Sequence, residues 1–217
     1  MLLLTAALAT TWYALGYYNF KRFTISNLFF KGKIALMPLT GADESPVVWL
    51  ESWELRLIKS QIESIYGFEV EVLYMREMPE NAYYSTQGSY NAKLVLDYLI
   101  TAKPGRYDKV IGITHRDISA NNHNNSDRGV IGLSYLGGEA CIISTHRFGS
   151  EKLSGGRYER RLSKASLHEL GHTLGLAHCE NTPFCFMTDA RGQVKTIDSE
   201  EIILCGNCKR LINFTQN

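Results

Sequence analysis

Three histidines and a glutamate fall within eleven residues of this 217-residue chain, although the whole sequence contains only six histidines. The segment reads HELGHTLGLAH and begins at His168. On a helix, His168 and His172 project from the same face one turn apart, so both imidazoles can bind one zinc ion. Glu169 lies about 100° further round the helix, where its carboxylate can reach a water beside the metal without binding the metal itself. The spacing therefore predicts a zinc site that activates water.

Gly175 and His178 extend this pattern. Gly175 follows His172 by three residues, where the helix must end, and glycine tolerates the left-handed conformation of a sharp turn. We expect that turn to bring His178 back to the metal as a third ligand. Three protein ligands leave one position open for water, which is typical of a catalytic rather than a structural zinc. The alternative is that the histidines are only hydrogen-bonded on a half-buried helix, and the glutamate and glycine at these offsets argue against it.

The cysteines form a second cluster in the sequence. Four of the five lie near the C-terminus as a C-x5-C and a C-x2-C pair: Cys179, Cys185, Cys205 and Cys208. This spacing is close to that of a four-cysteine zinc site, with two disulfides or a redox-active Cys205–Cys208 pair as alternatives. The fifth, Cys141, lies in an apolar run and is expected to be a small core residue. Because successive side chains of an extended turn point to opposite sides, His178 and Cys179 can serve two different metals.

The run HELGHTLGLAH resembles the HExxHxxGxxH motif of metzincin zinc peptidases. Cys179 directly after His178, Met187 two residues after Cys185, and the later CGNC make the chain resemble one family in particular, the archaemetzincins. The resemblance covers roughly the last 60 residues by motif and implies a catalytic zinc and a second zinc held by four cysteines. It also implies that Met187 packs beneath the zinc ligands without binding the metal. One departure is the five residues between Cys179 and Cys185, where the family pattern leads us to expect four.

These features predict a zinc-dependent metallopeptidase that carries two zinc ions and cleaves peptide or protein substrates. Glu169 would act as general base towards the water and later as general acid towards the leaving amine. The alternative function is a non-catalytic zinc-binding interaction module in which both metals are structural. A further alternative is a membrane-tethered redox protein that uses Cys205 and Cys208.

Composition and charge indicate an ordinary globular chain apart from its N-terminus. The formal net charge is +1, and no basic run dense enough for nucleic acid is present. No charged residue occurs from Leu2 to Phe20, and Lys21 and Arg22 follow. We expect residues 1–30 to form a membrane anchor or export signal, with an amphipathic or core-packed helix as the alternative. For an anchor, the positive-inside rule would place the remaining body, a single metallopeptidase domain over 31–217, in the cytoplasm.

The body of the chain alternates strands with helices. Strands are predicted in KIALMPL, FEVEVLYM and YDKVIGITH, and helices from Ser45 and Pro46 to Gly67 and over YNAKLVLDYLITAK. The polar SANNHNNSDRG is predicted to be a surface loop. GVIGLSYLG and EACIISTHRF follow as a strand pair, and a third helix that starts near Gly156 carries the histidines.

This order predicts a compact α/β domain with a mixed, mostly parallel sheet and helices packed on its faces. GVIGLSYLG is the candidate antiparallel edge strand, along which a substrate would extend near Ile131 to Tyr135. A loop-rich C-terminal tail held by zinc is expected to complete the domain.

Overall fold

The structure is a computed structural model that describes residues 32–41, 52–121, 127–149, 156–190, 197–198 and 201–216. The strands in these ranges are β1 (Lys33–Thr40), β2 (Glu69–Val72), β3 (Arg76–Glu77), β4 (Tyr83–Tyr84), β5 (Ser89–Asn91), β6 (Lys109–Thr114), β7 (Ile118–Asn121), β8 (Asp127–Val130), β9 (Gly132–Ser134) and β10 (Ala140–Ser144). The helices are α1 (Ser52–Tyr66), α2 (Ala92–Ala102), α3 (Arg157–Thr173) and α4 (Gly206–Gln216), with short 3₁₀ turns at Glu80–Ala82 and His146–Phe148.

The main sheet has the strand order β2-β1-β6-β10-β9, and β3 pairs with the end of β1. All pairings are parallel except that of β9, which runs antiparallel to β10 at the edge of the sheet. This arrangement confirms the predicted fold class, a mostly parallel sheet with one antiparallel edge strand.

The residues of β1 show why this sheet is covered on both faces. Ile34 and Leu36 pack into one core cluster with residues of α1 and α3. Ala35 and Met37, on the opposite face, pack into a second cluster with residues of α2. A strand buried on both faces is apolar at consecutive positions, which is the pattern of KIALMPL. The helix with the histidines, α3, therefore lies directly on the sheet.

A second sheet, of order β4-β5-β7-β8, departs from the prediction. The predicted loop SANNHNNSDRG contributes to two of its strands, because β7 and β8 pair antiparallel from Ile118–Val130 to Asn121–Asp127. The predicted strand GVIGLSYLG is divided at Ile131, so β8 belongs to the second sheet and β9 to the main one. Main-chain hydrogen bonds form such a pair whatever the side chains are, which is why the polar composition was misleading.

Smaller differences concern the ends of elements. Only Glu69–Val72 of the predicted strand FEVEVLYM forms a strand, β2, and β3 begins after the segment, at Arg76. The C-terminal tail, predicted to be rich in loops, contains α4. Ser45 and Pro46, the predicted start of the first helix, lie outside the described residues, as does the N-terminal segment 1–30. Among the helices that the described ranges contain, none combines the length and apolarity needed to cross a membrane.

A buried lysine joins the main sheet to the C-terminal end of α3. Lys109 opens β6 and is 3% exposed, and its ammonium donates to the carbonyls of Gly138 at 2.8 Å and Thr173 at 3.0 Å. Burial lowers the pKa of Lys109 to about 8, although the nearby Glu139 and Asp108 act in the opposite direction.

Lys109 should make stability rise with pH on the alkaline side. Between pH 8 and 10.5 the folded chain binds fewer protons at this site than the unfolded chain, so the free energy of unfolding increases with pH. In Lys109→Met this contribution is absent. In urea unfolding, the free energy of unfolding of wild type minus that of the variant should increase by about 2 kcal/mol from pH 8 to pH 10. A constant difference would contradict the assignment.

Candidate metal centre

The turn after α3 contains two hydrogen bonds that depend on the left-handed backbone conformation of Gly175. Gly175 has a φ of 91°, its N–H donates to the carbonyl of His172 at 2.9 Å, and the N–H of Leu176 donates to that of Gly171 at 3.0 Å. This pair of bonds is a Schellman motif, which satisfies carbonyls at the helix end and reverses the chain. The predicted turn is therefore present, and it returns the chain towards the two helical histidines.

The three histidines meet at one point. Their ring centroids are 4.6 Å apart for His168 and His172, 5.4 Å for His168 and His178, and 4.9 Å for His172 and His178. One nitrogen from each ring lies within 4.8 Å of the other two. The structure thus brings together all three residues that the sequence predicted as ligands.

Two backbone carbonyls fix which ring nitrogens face this point. The Nδ1 atoms of His168 and His172 donate to the carbonyls of Phe186 and Leu176, both at 2.7 Å. Since a carbonyl only accepts, each neutral ring carries its proton on Nδ1 and presents the lone pair of Nε2. Burial lowers the pKa of His168 to about 4 and also lowers that of His172, which favours the neutral ring that binds metal.

The donor geometry suits a zinc ion. The two Nε2 atoms are 3.0 Å apart, and two lone pairs at this distance repel unless a cation lies between them. Zinc bound to nitrogen at 2.0–2.1 Å in a tetrahedral site places neighbouring nitrogens about 3.3 Å apart. The two helical histidines therefore fit zinc in both chemistry and spacing, and His178 adds a third imidazole nitrogen within 4.8 Å of theirs.

Glu169 lies between α3 and the edge strand β9. Its Oε2 accepts a hydrogen bond of 2.6 Å from the Ser134 hydroxyl. A Cβ atom on Gly132 would lie 2.6 Å from the Glu169 Cγ and 2.7 Å from Oε1, so only glycine allows this close approach. Burial raises the pKa of Glu169, while the bond from Ser134 and the nearby His172 and His178 act to lower it.

The four C-terminal cysteines form a separate cluster of thiols. The sulfur atoms of Cys179 and Cys205 are 3.7 Å apart, those of Cys185 and Cys208 are 3.9 Å apart, and all four lie within 4.8 Å of one another. Cys141 is fully buried in β10, away from this cluster, as predicted.

The sulfur distances distinguish a metal site from disulfides. None of the five cysteines is in a disulfide, and the 3.7 and 3.9 Å separations far exceed a sulfur–sulfur bond of about 2.05 Å. Zinc bound to sulfur at 2.3 Å in a tetrahedral site places neighbouring sulfurs about 3.8 Å apart. Although burial opposes it, hydrogen bonds from Cys208 and the other thiols lower the pKa of Cys205 to about 7, whereas burial raises the pKa of Cys185 and of Cys208. The sulfur distances, rather than these pKa shifts, are therefore the evidence for a metal site.

A short run of backbone, Cys185 to Met187, contacts both clusters. Cys185 contributes a thiol, the Phe186 carbonyl accepts from His168, and the Met187 carbonyl accepts from the N–H of Cys179 at 2.8 Å. The Met187 side chain is fully buried against α3, where a Cβ on Gly171 would lie 2.4 Å from its sulfur. Met187 thus packs against the helix between the two helical histidines.

A cavity of about 320 Å³ opens beside these groups. It is lined by the three histidines and Glu169, by residues 130–134 from the end of β8 through β9, and by Lys164, Ala165, Phe186, Asp189, Ala190 and Ile197. Sequence reasoning missed three polar residues of this wall as site residues, Ser134, Lys164 and Asp189. Ser134 follows Gly132 on the same face of the predicted edge strand, and Lys164 lies one helical turn before His168, so their spacing alone could have indicated them.

Comparison with known proteins agrees with this geometry. A model of peptidase family M54 matches residues 55–214. The archaemetzincin of Halobacterium salinarum is 35% identical over 72% of this chain and 90% of its own length. That of Natronomonas pharaonis is 35% identical over 78% and 98%. The crystal structure of the Methanopyrus kandleri archaemetzincin superposes with a TM-score of 0.70 at 28% identity, covering 84% of this chain and 94% of that one.

Proposed function

Because this chain belongs to peptidase family M54, the archaemetzincin zinc metallopeptidases, we propose that His168, His172 and His178 hold its catalytic zinc and that Glu169 is its general base. The observation that carries the proposal is the convergence of three imidazole nitrogens beside a buried carboxylate that lines the same cavity. Bound at three histidines, zinc supplies Lewis acidity and an open position at which water and a peptide carbonyl are polarised.

Glu169 moves the proton in this scheme. Its Oε2 accepts a hydrogen bond from Ser134, which orients the carboxylate, and one carboxylate oxygen takes the proton from the attacking water. The same oxygen then delivers the proton to the nitrogen of the leaving amine as the peptide bond breaks. Burial raises the pKa of this carboxyl towards the range in which both transfers are efficient.

The edge strand β9 binds an extended substrate. Among the strands of the described ranges, Gly132 to Ser134 pair only with β10, and these residues line the cavity. A substrate strand added along the other side would be held by main-chain hydrogen bonds and would pass Glu169. Because main-chain hydrogen bonds do not depend on side-chain identity, β9 can align substrates of many different sequences.

We further propose that the four cysteines hold a second, structural zinc. This metal would fix the chain on both sides of the turn, at Cys179 beside His178 and at Cys185 beside Phe186, whose carbonyl orients His168. The chain would then carry two zinc ions, one at each cluster.

Glu169→Gln tests the assignment of the base. The amide keeps the size of the side chain but cannot take a proton, so kcat/KM on a peptide library should fall by at least about 100-fold. Zinc content, measured by elemental mass spectrometry, should stay at the wild-type value. Cleavage retained by Glu169→Gln would exclude the carboxylate from the mechanism, and no cleavage by wild type would favour a non-catalytic zinc module.

Ser134→Ala tests whether the serine holds the glutamate in place. Removing a hydrogen bond to a charged group costs about 1.5–3 kcal/mol, so kcat should fall about 10- to 100-fold while KM changes little. Ser134→Thr, which keeps the hydroxyl, should restore most of the rate. A rise in KM and a fall in kcat that are equal in both variants would instead indicate a general disturbance of the strand.

Cys208→Ala tests the link between the two clusters, with Cys141→Ala as its matched control because both thiols are buried. The first variant should lose one of two zinc ions and should weaken the zinc affinity of the remaining site about 10-fold, because the turn that aims His178 loses its anchor. The second should keep both metals. Chelator competition measures the affinity, and an unchanged histidine site in Cys208→Ala would show that the clusters are independent.

A further inference from the structure

Tyr66, the last residue of α1, packs against α3 and is not among the residues that line the cavity. The Tyr66 side chain is buried, and its hydroxyl donates a hydrogen bond to the Leu167 carbonyl at 2.8 Å. Leu167 directly precedes His168, the first of the three histidines. The hydroxyl therefore holds the backbone at the point from which the His168 side chain projects.

The absence of a side chain at Gly171 makes this contact possible. A Cβ atom on Gly171 would lie 2.9 Å from the Tyr66 hydroxyl oxygen and 2.4 Å from the Met187 sulfur. A larger residue at position 171 would therefore push both groups away from α3. Leu167 and Gly171 are four residues apart and share a face of the helix, so the hydroxyl lies against the turn that contains His168.

The ring of Tyr66 contacts the residue that orients His168. Its centroid is 6.2 Å from that of Phe186, with the two planes at 78°, which is an edge-to-face contact. The same ring stacks on Phe68 at 5.9 Å, with planes 8° apart, so its own orientation is fixed. The Phe186 carbonyl accepts the hydrogen bond from the His168 Nδ1 atom at 2.7 Å. Tyr66 thus contacts both the residue before His168 and the residue that fixes its tautomer.

The Tyr66 hydroxyl remains protonated and available as a donor. Burial raises the pKa of Tyr66 well above its usual value, and negative charge at Cys185 and Cys208 acts in the same direction. The hydroxyl is therefore neutral in the range of pH in which imidazole binds zinc. The effect of the two cysteines also reflects how close Tyr66 lies to the thiol cluster.

We propose that Tyr66 is a positioning residue that fixes the ring of His168 in its zinc-binding orientation. This inference rests on the proposed function, in which His168 holds the catalytic zinc. The hydroxyl holds the backbone that carries His168, and the ring holds Phe186, whose carbonyl accepts from that histidine. Groups that orient a metal ligand from outside the coordination sphere affect both metal affinity and activity.

His172 provides an internal reference for this role. Its Nδ1 atom donates to the Leu176 carbonyl at 2.7 Å, and Leu176 is held by the bond from its own N–H to the Gly171 carbonyl. The acceptor of His172 therefore belongs to the turn after α3, whereas the acceptor of His168 belongs to Phe186. A disturbance that spreads through α3 would affect both rings, and the loss of Tyr66 should affect His168 in particular.

Solvent exchange of the histidine Nδ1–H protons in the zinc-saturated, full-length protein tests the inference. NMR spectra of protein with isotope-labelled histidine observe the rings of His168 and His172 separately. In Tyr66→Leu, which loses the hydroxyl and the aromatic ring, exchange at His168 should be about 2- to 10-fold faster than in wild type. Exchange at His172 should keep the wild-type rate. Tyr66→Phe retains the ring and should show a smaller increase at His168.

Tyr107→Phe is the matched control, because Tyr107 is also buried but packs in the second core cluster, with residues of α2. Its hydroxyl accepts from Arg106 at 2.6 Å, so the control also loses one tyrosine hydrogen bond. Its melting temperature accounts for loss of stability alone, and exchange at both histidines should match wild type. Wild-type exchange at His168 in both Tyr66 variants, or an equal increase at His168 and His172, would overturn the proposal. If Tyr66→Leu does not fold, Tyr66→Phe decides by the same comparison.

Cleavage assays distinguish this failure from failure of the peptidase assignment. In Tyr66→Phe, kcat should fall while KM stays close to that of wild type, because the change acts on the zinc ligands and not on the substrate strand along β9. Cleavage by wild type without a selective change at His168 would reject the role of Tyr66 and leave the proposed function standing. A selective change at His168 without cleavage by wild type would reject the function and leave the positioning role standing.

Discussion

Two peptide bonds join the two clusters, and the geometry of the histidine site depends on them. His178 is followed directly by Cys179, and Cys185 directly by Phe186, whose carbonyl orients the His168 ring. A hydrogen bond from the Cys179 N–H to the Met187 carbonyl closes the loop between them. The thiol cluster therefore sets the position of His178, which lies outside α3. It also sets the tautomer of His168, which lies on α3.

The buried face of α3 is polar along much of its length, and the segments that follow it satisfy that face. Arg161 is bound by Asp198, Lys164 by the Ile197 carbonyl, His168 by the Phe186 carbonyl and His172 by the Leu176 carbonyl. A buried polar group without a partner costs about 1–3 kcal/mol of stability. Each of these acceptors must therefore lie opposite its donor for the helix to pack against the cavity. The residues after α3 thus provide hydrogen-bond acceptors that hold in place the face of α3 that carries His168 and His172.

The sequence was most informative where a short-range pattern decides the geometry. The i and i+4 histidines, the glycine turn and the apolar run of β1 depend on local periodicity, and the structure has each of them as predicted. The β7–β8 pair was missed because its strands are held by main-chain bonds between residues with polar side chains. Spacing could place Ser134 and Lys164 beside the site, but their hydrogen-bond partners, Glu169 and Ile197, are brought close only by the fold.

Zinc K-edge X-ray absorption on the full-length protein tests the central claim, that two adjacent clusters hold two different zinc ions. Averaged over both sites, the account predicts a shell of sulfur at about 2.3 Å and a shell of nitrogen or oxygen at about 2.0 Å in nearly equal numbers, with two zinc ions per chain. A spectrum with only nitrogen and oxygen, or only sulfur, from protein saturated with zinc would contradict it.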